Sequence, residues 1–130
     1  MSQENVEIVR RMWDVFAAGS FPADVFADGV EWHLARDIPD TGVCRGPAEI
    51  ARMLTEGWAT VTQPWIRVEE MVEAGDQVVV RWRGGGTGRA SGIPMEWNET
   101  HVYTLADQKV VRVCEHRDWE TALEAVGLRE

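Results

Sequence analysis

The sequence predicts an α+β fold built as one domain over residues 1–130, with helices packed on one face of a curved antiparallel sheet. Three observations carry that prediction. Apolar stripes at three- and four-residue steps occupy the first half of the chain and its C-terminal end. From about residue 65 the period drops to two. Short turn-forming clusters then divide this stretch into consecutive strands, with no internal repeat and no low-complexity linker.

The first helix rests on Val6, Val9, Trp13 and Phe16, widened by Ile8 and Met12. Ser2 can cap its start, Glu4 suits its first turn, and Gly19 follows its end. A short second helix is expected over 22–28, with Pro22 in its first turn and Gly29 as a stop. Residues 30–35 alternate as a strand, and a polar loop over 36–45 holds Asp37, Pro39, Asp40 and Gly42. Gly46-Pro47 opens a third helix with the stripe Ile50, Met53, Leu54, Trp58 and Val61, ended by Gln63-Pro64. Strands follow over 65–74 and 78–83, the second continuing through the run Gly84-Gly85-Gly86-Thr87-Gly88 as a bent or bulged strand. After a turn at Ser91-Gly92 come strands over 95–105 and 109–117. Asp118 then caps a last helix carrying Trp119, Leu123 and Val126, with Gly127 beyond it.

Composition narrows the function. Thirteen basic against 22 acidic residues leave a net charge of −9, which repels nucleic-acid phosphates and anionic lipid. No apolar run approaches the roughly 18 residues that span a bilayer, and the polar N-terminus does not read as a secretory signal. Cys44 and Cys114 form no Cys-x-x-Cys pair, so a reduced, cytoplasmic chain is expected. A chain of this length buries roughly two-thirds of its surface without disulfides or a structural metal. Seven Trp against one Tyr is a pronounced bias, and tryptophan suits a pocket wall as well as a core.

Several phrases resemble the nuclear transport factor 2-like superfamily, in particular its SnoaL-like, polyketide cyclase-like branch. They are residues 5–11 (NVEIVRR), 29–32 (GVEW), 45–50 (RGPAEI) and 74–80 (AGDQVVV). To these add 101–105 (HVYTL), 109–113 (KVVRV) and 120–127 (ETALEAVG). The resemblance covers nearly the whole chain. It implies a cone, a curved antiparallel sheet wrapped around about three helices, with one deep pocket and often a homodimer. It does not settle function, because isomerases, dehydratases, epoxide hydrolases, cyclases and binding modules share the fold.

The candidate site comes from the last hairpin. A three-residue loop at 106–108 sets Leu105 opposite Lys109, Glu99 opposite Glu115 and His101 opposite Val113. Residues two apart share a face, so Trp97, Glu99, His101 and Tyr103 lie with Val113, Glu115 and Arg117. By resemblance this face lines the pocket. His101 and Glu115 then take the positions of the cyclase acid–base pair, with Glu where those enzymes typically carry Asp. A carboxylate–imidazole pair among apolar rings suits proton transfer near neutral pH. The roles expected are His101 as general acid or base, Glu115 as its proton-sharing partner, Arg117 as oxyanion stabiliser and Glu99 as a second carboxylate. Arg117, diagonal to Glu99, can pair with it. Trp32, Trp82, Trp97, Tyr103, Val113, Met12 and Trp58 are the expected walls. A one-residue slip would place the same groups on a solvated outer face.

Other readings are weaker. The resemblance puts Trp32 and Met12 where ketosteroid isomerases carry their general-base Asp and first-helix Tyr, so that site is not assembled. Glu99, Arg117 and Glu115 are only a loose analogue of an epoxide hydrolase set. The glycine run lacks the strand–helix context of a nucleotide fingerprint. His33 and Asp37 have no second histidine, so no metal is expected. Arg81 and Arg83 form an outer row or a dimer contact, and Asp37 and Asp40 belong to a solvated loop. The expectation is a cofactor-independent acid–base enzyme, a cyclase, isomerase or dehydratase, acting on a small, mostly apolar carbonyl compound. The alternatives are a non-catalytic ligand-binding or dimeric accessory module, and an epoxide hydrolase.

Overall fold

The computed structural model describes residues 2–35 and 42–128, so the expectations placed on Asp37, Pro39 and Asp40 lie outside the described residues. In chain order the elements are α1 (Ser2–Ala17), a single 3-10 turn (Ala23–Val25), β1 (Phe26–His33), β2 (Val43–Arg45), α2 (Gly46–Trp58), β3 (Val61–Ala74), β4 (Gln77–Gly88), β5 (Pro94–Ala106), β6 (Lys109–His116) and α3 (Trp119–Ala125). The six strands form one curved sheet in the order β2-β1-β6-β5-β4-β3. The α+β cone is therefore observed, with one change: β1 pairs with β6 in parallel, so the sheet is mixed. Its other ladders are antiparallel.

The apolar stripe of α1 behaves as its spacing predicts, since Ile8, Val9, Met12 and Trp13 are all buried against the sheet. Ser2 already belongs to the helix, so it does not stand at the cap position. The second helix shrinks to one 3-10 turn, because Phe26 leaves it to enter β1 and stacks on Phe21 at 5.3 Å between ring centroids. The third helix ends at Trp58, and Val61 opens β3 instead of extending the helical stripe. Pro64 thus sits inside a strand. That is tolerated because β3 is a sheet edge and a register shift falls between Thr62 and Trp65. The short strand β2, read from the sequence as loop, is held by pairs such as Trp32 with Cys44.

The glycine run is regular strand. Its ladder with β5 is unbroken from Gln77–Thr104 to Thr87–Pro94, and the irregularities fall on its other neighbour, β3. Small residues are needed there for close approach. A Cβ on Gly84 would lie 2.6 Å from the Trp82 ring and 3.1 Å from Trp58.

The β5–β6 hairpin differs from expectation in a way that spares the candidate site. Its loop is two residues, Asp107-Gln108, both at positive φ (53° and 65°), so Ala106 pairs with Lys109. That alone would move every odd residue of β6 to the other face. A bulge between Thr104 and Leu105 adds a second one-residue shift and restores the parity, pairing Tyr103 with Val113 and His101 with Glu115. Even residues of β4 and odd residues of β5 and β6 therefore share the face that carries α1 and α2. On the opposite face, α3 covers Val79 and Val102, with Asp118 capping it by accepting from the Thr121 amide at 2.8 Å. Arg81 and Arg83 also lie on that outer face and pair with Glu70 and Glu96.

Candidate functional site

Where α1, α2 and the inner sheet face meet, they leave a cavity of about 490 Å³. Rings dominate its wall: Trp13 and Phe16 from α1, Phe21, Trp32 from β1, Trp58 from α2, Trp65 from β3, Trp82 from β4 and Trp97 from β5. Among the described residues its ionisable groups are Glu99, His101 and Glu115. The odd-numbered face of β5 thus points inward, because Trp97, Glu99 and His101 alternate along a strand whose other side faces outward.

His101 is the centre of this cluster. Its side chain is only 4% exposed, and it contacts the rings of Trp13, Trp32, Trp82 and Tyr103 at 5.4–5.9 Å between centroids. Nδ1 lies 3.0 Å from the Tyr103 hydroxyl. Nε2 accepts from the Trp82 indole N–H at 3.2 Å and lies 3.1 Å from Glu99 Oε1. Glu115, though directly across the ladder, keeps its Oε2 4.0 Å from the same nitrogen. The near partner of His101 is therefore Glu99, where the sequence pointed to Glu115. The reason is local: Glu115 is turned away by its own donors, Trp32 Nε1 to Oε2 at 2.8 Å and the Ala35 amide to Oε1 at 3.2 Å.

The three remaining expected residues of the hairpin separate by depth. Tyr103 and Val113 are fully buried beneath the wall, and Arg117 lies beyond the end of β6, exposed and outside the cavity lining. The Glu99–Arg117 pair expected from the diagonal is replaced by Glu99 with His101. Met12 is likewise core, whereas its neighbour Trp13 reaches the cavity. Trp13, Phe16, Phe21 and Trp65 are lining residues that the sequence reading missed. For the first two, the signal was present in the aromatic end of the α1 stripe.

Burial, reinforced by the Glu115 charge and then that of Glu99, holds the Tyr103 phenol well above its ordinary range, so it remains a neutral hydroxyl. The buried Trp13 Nε1 makes no hydrogen bond among the described residues. His116, next to the cluster on β6, is pushed down by burial and by the nearby His101, with Asp118 opposing. Among the described residues, Glu99, His101 and Glu115 also bring one ligand atom each within 4.8 Å of one another, the chemistry a divalent cation would need. The Trp82 indole N–H engages the one in-plane lone pair of His101 Nε2, so a cation there would have to displace that bond, whereas Glu115 Oε2 keeps a lone pair beside the one Trp32 uses.

The chain's relatives are structural. No curated protein matches it. A protein from Jannaschia sp. CCS1 described as a SnoaL-like polyketide cyclase is 19% identical, with a TM-score of 0.76 over 99% of this chain and 95% of that one. TerC, crystallised with polyporic acid, is 21% identical, with a TM-score of 0.72 over 95% and 97%. A protein of ketosteroid isomerase-like fold from Catenulispora acidiphila DSM 44928, in complex with trimethylamine, is 17% identical, with a TM-score of 0.70 over 94% and 93%. At these identities the likeness establishes the fold. The family model of the SnoaL-like domain matches residues 9–113, most of the chain, and on that ground the protein belongs to the SnoaL-like domain family.

Proposed function

We propose that the chain is a cofactor-independent acid–base enzyme acting on a small, mostly apolar carbonyl compound by cyclisation, isomerisation or dehydration. The observation that carries this reading is a buried imidazole set 3.1 Å from a carboxylate at the wall of an aromatic cavity of about 490 Å³. Such a cavity binds flat apolar ligands, and its few polar groups act on whatever carbonyl lies against them. His101 takes the proton from the carbon beside the carbonyl, and the C–H electron pair moves into an enolate. Glu99 holds the resulting imidazolium by a charge-assisted bond. The same proton returns to carbon or oxygen as the product forms. Glu115, anchored by Trp32 and Ala35, contributes a fixed negative charge behind the imidazolium. Arg117 does not line the cavity, so among the described residues the charge of the enolate falls to the imidazolium itself.

A non-catalytic binding module is the second reading, favoured by the absence of any Lys or Arg among the described residues that line the cavity. An epoxide hydrolase is less well supported, because Arg117 stands outside the cavity that holds the two carboxylates. The proposal extends to a cytoplasmic homodimer, for which light scattering gives about twice the chain mass of 14.7 kDa and a single chain mass would remove that part.

Exchange of the α-protons of β-tetralone in deuterium oxide discriminates between the readings. The wild type accelerates exchange, and His101→Ala and Glu99→Gln lose about a hundredfold or more of that acceleration while staying folded. A variant pair as fast as the wild type, or a wild type that binds the ketone without exchanging it, turns the assignment to the binding module.

A further inference from the structure

We propose that Trp82 is a positioning residue: its indole N–H selects the neutral tautomer of His101 that carries hydrogen on Nδ1, leaving the lone pair of Nε2 as the basic atom of the site. The inference rests on the acid–base reading above and names the atom that reading leaves open.

The argument is one of donors and acceptors. An indole N–H can only donate, and each imidazole nitrogen offers either a hydrogen or one in-plane lone pair, never both. Trp82 Nε1 points its hydrogen at His101 Nε2 across 3.2 Å, so in this arrangement Nε2 holds the lone pair. The hydrogen of a neutral ring then sits on Nδ1, where the Tyr103 oxygen, 3.0 Å away, accepts it. Tyr103 is suited to that part because burial keeps it a neutral phenol.

Glu99 Oε1, 3.1 Å from the same Nε2, favours the opposite tautomer. The two claims on Nε2 differ in how readily each can be satisfied elsewhere. Trp82 is packed in the wall, with Trp13 and Trp58 at 5.3 and 6.3 Å between centroids, and a buried N–H facing another N–H would be left unpaired. Glu99 is 32% exposed and its carboxylate can be solvated from the cavity. The buried donor therefore decides the resting tautomer.

The other groups facing the ring do not alter this ordering. Glu115 on β6 is held at 4.0 Å by its own donors, Trp13 and Trp32 meet the ring through their faces and edges, and His116 acts on it only through charge. A proton arriving on Nε2 breaks the bond from Trp82 and makes a new one to Glu99. The indole thus holds the base form and the carboxylate holds the acid form. Nothing else need move.

A long-range proton–nitrogen correlation spectrum of the labelled full chain at mildly alkaline pH tests this without any substrate. The chain has three histidines, so the His101 pattern is assigned by its loss in His101→Gln. The wild type should show Nε2 in the pyridine-like range and Nδ1 in the pyrrole-like range. In Trp82→Phe the two should exchange, as Nε2 gains the hydrogen and donates to Glu99. Tyr103→Phe leaves the Trp82 donor in place and should keep hydrogen on Nδ1, and the wild-type spectrum alone keeps the test open if Trp82→Phe does not fold. A wild type already protonated on Nε2, a Trp82→Phe variant that keeps hydrogen on Nδ1, or a Tyr103→Phe variant that moves it to Nε2 overturns the proposal. The outcome is separable from the enzymatic reading. A protein with the Nδ1–H tautomer but no β-tetralone exchange loses the catalytic assignment alone, and an active protein with the Nε2–H tautomer loses this inference alone.

Discussion

The site turns on which hydrogen-bond donor reaches which acceptor, and those distances are set residue by residue. Trp32, read from the sequence as a pocket wall, also supplies the N–H that fixes Glu115. Trp32→Phe keeps most of the apolar contact but removes the donor to a carboxylate that is only 11% exposed. It should lower stability by about 1.5–3 kcal/mol in urea unfolding. An unchanged midpoint would show that water or another group replaces the indole. The sequence made legible that Glu99, His101 and Glu115 share one face among tryptophans. Which carboxylate touches His101 was not legible, because that depends on a bulge and on donors contributed by β1, distant in the chain.

At the scale of elements, the last hairpin shows why a wrong register still produced the right face. The tight loop and the bulge each shift the pairing by one residue, and side-chain orientation depends only on whether the total is even. Neither device has a strong sequence signature here, since Asp107-Gln108 lacks the glycine usual in such a turn. Gln108 pays for that with φ at 65°. Gln108→Gly should therefore stabilise the protein by about 1 kcal/mol in denaturant unfolding, and a destabilised variant would mean that the Gln108 side chain makes compensating contacts. The glycines of β4 work in the opposite sense. A Cβ on Gly86 would meet the Thr62 carbonyl at 2.7 Å and Val61 at 3.0 Å, so Gly86→Ala should cost about 1–3 kcal/mol. Wild-type stability in that variant would show that the β3 edge can move aside. Helix boundaries were legible where a stripe met a capping residue, as at Asp118. They were missed where a proline interrupted a strand, as at Pro64.

For the whole molecule, the order of helices before strands fixed the fold class, while the parallel pairing of β1 with β6 was hidden because it joins segments separated by four other strands. Stability should also respond to pH through His116. Its native value lies below the ordinary 6.5 because burial and His101 disfavour its charged form. The unfolded chain thus binds a proton more readily, and stability falls as pH drops from about 6.5 toward the depressed native value. His116→Asn should flatten that part of the melting-temperature profile, and a profile identical to wild type would assign the acid sensitivity to other groups.

The central claim is that ligands meet this protein in the aromatic cavity, against His101. Titrating β-tetralone into labelled protein while following the imidazole signals of His33, His101 and His116 tests it directly. The account predicts a saturable displacement of the His101 signals that leaves half-buried His33, outside the cavity lining, unmoved. Binding that perturbs His33 while His101 stays fixed would contradict it.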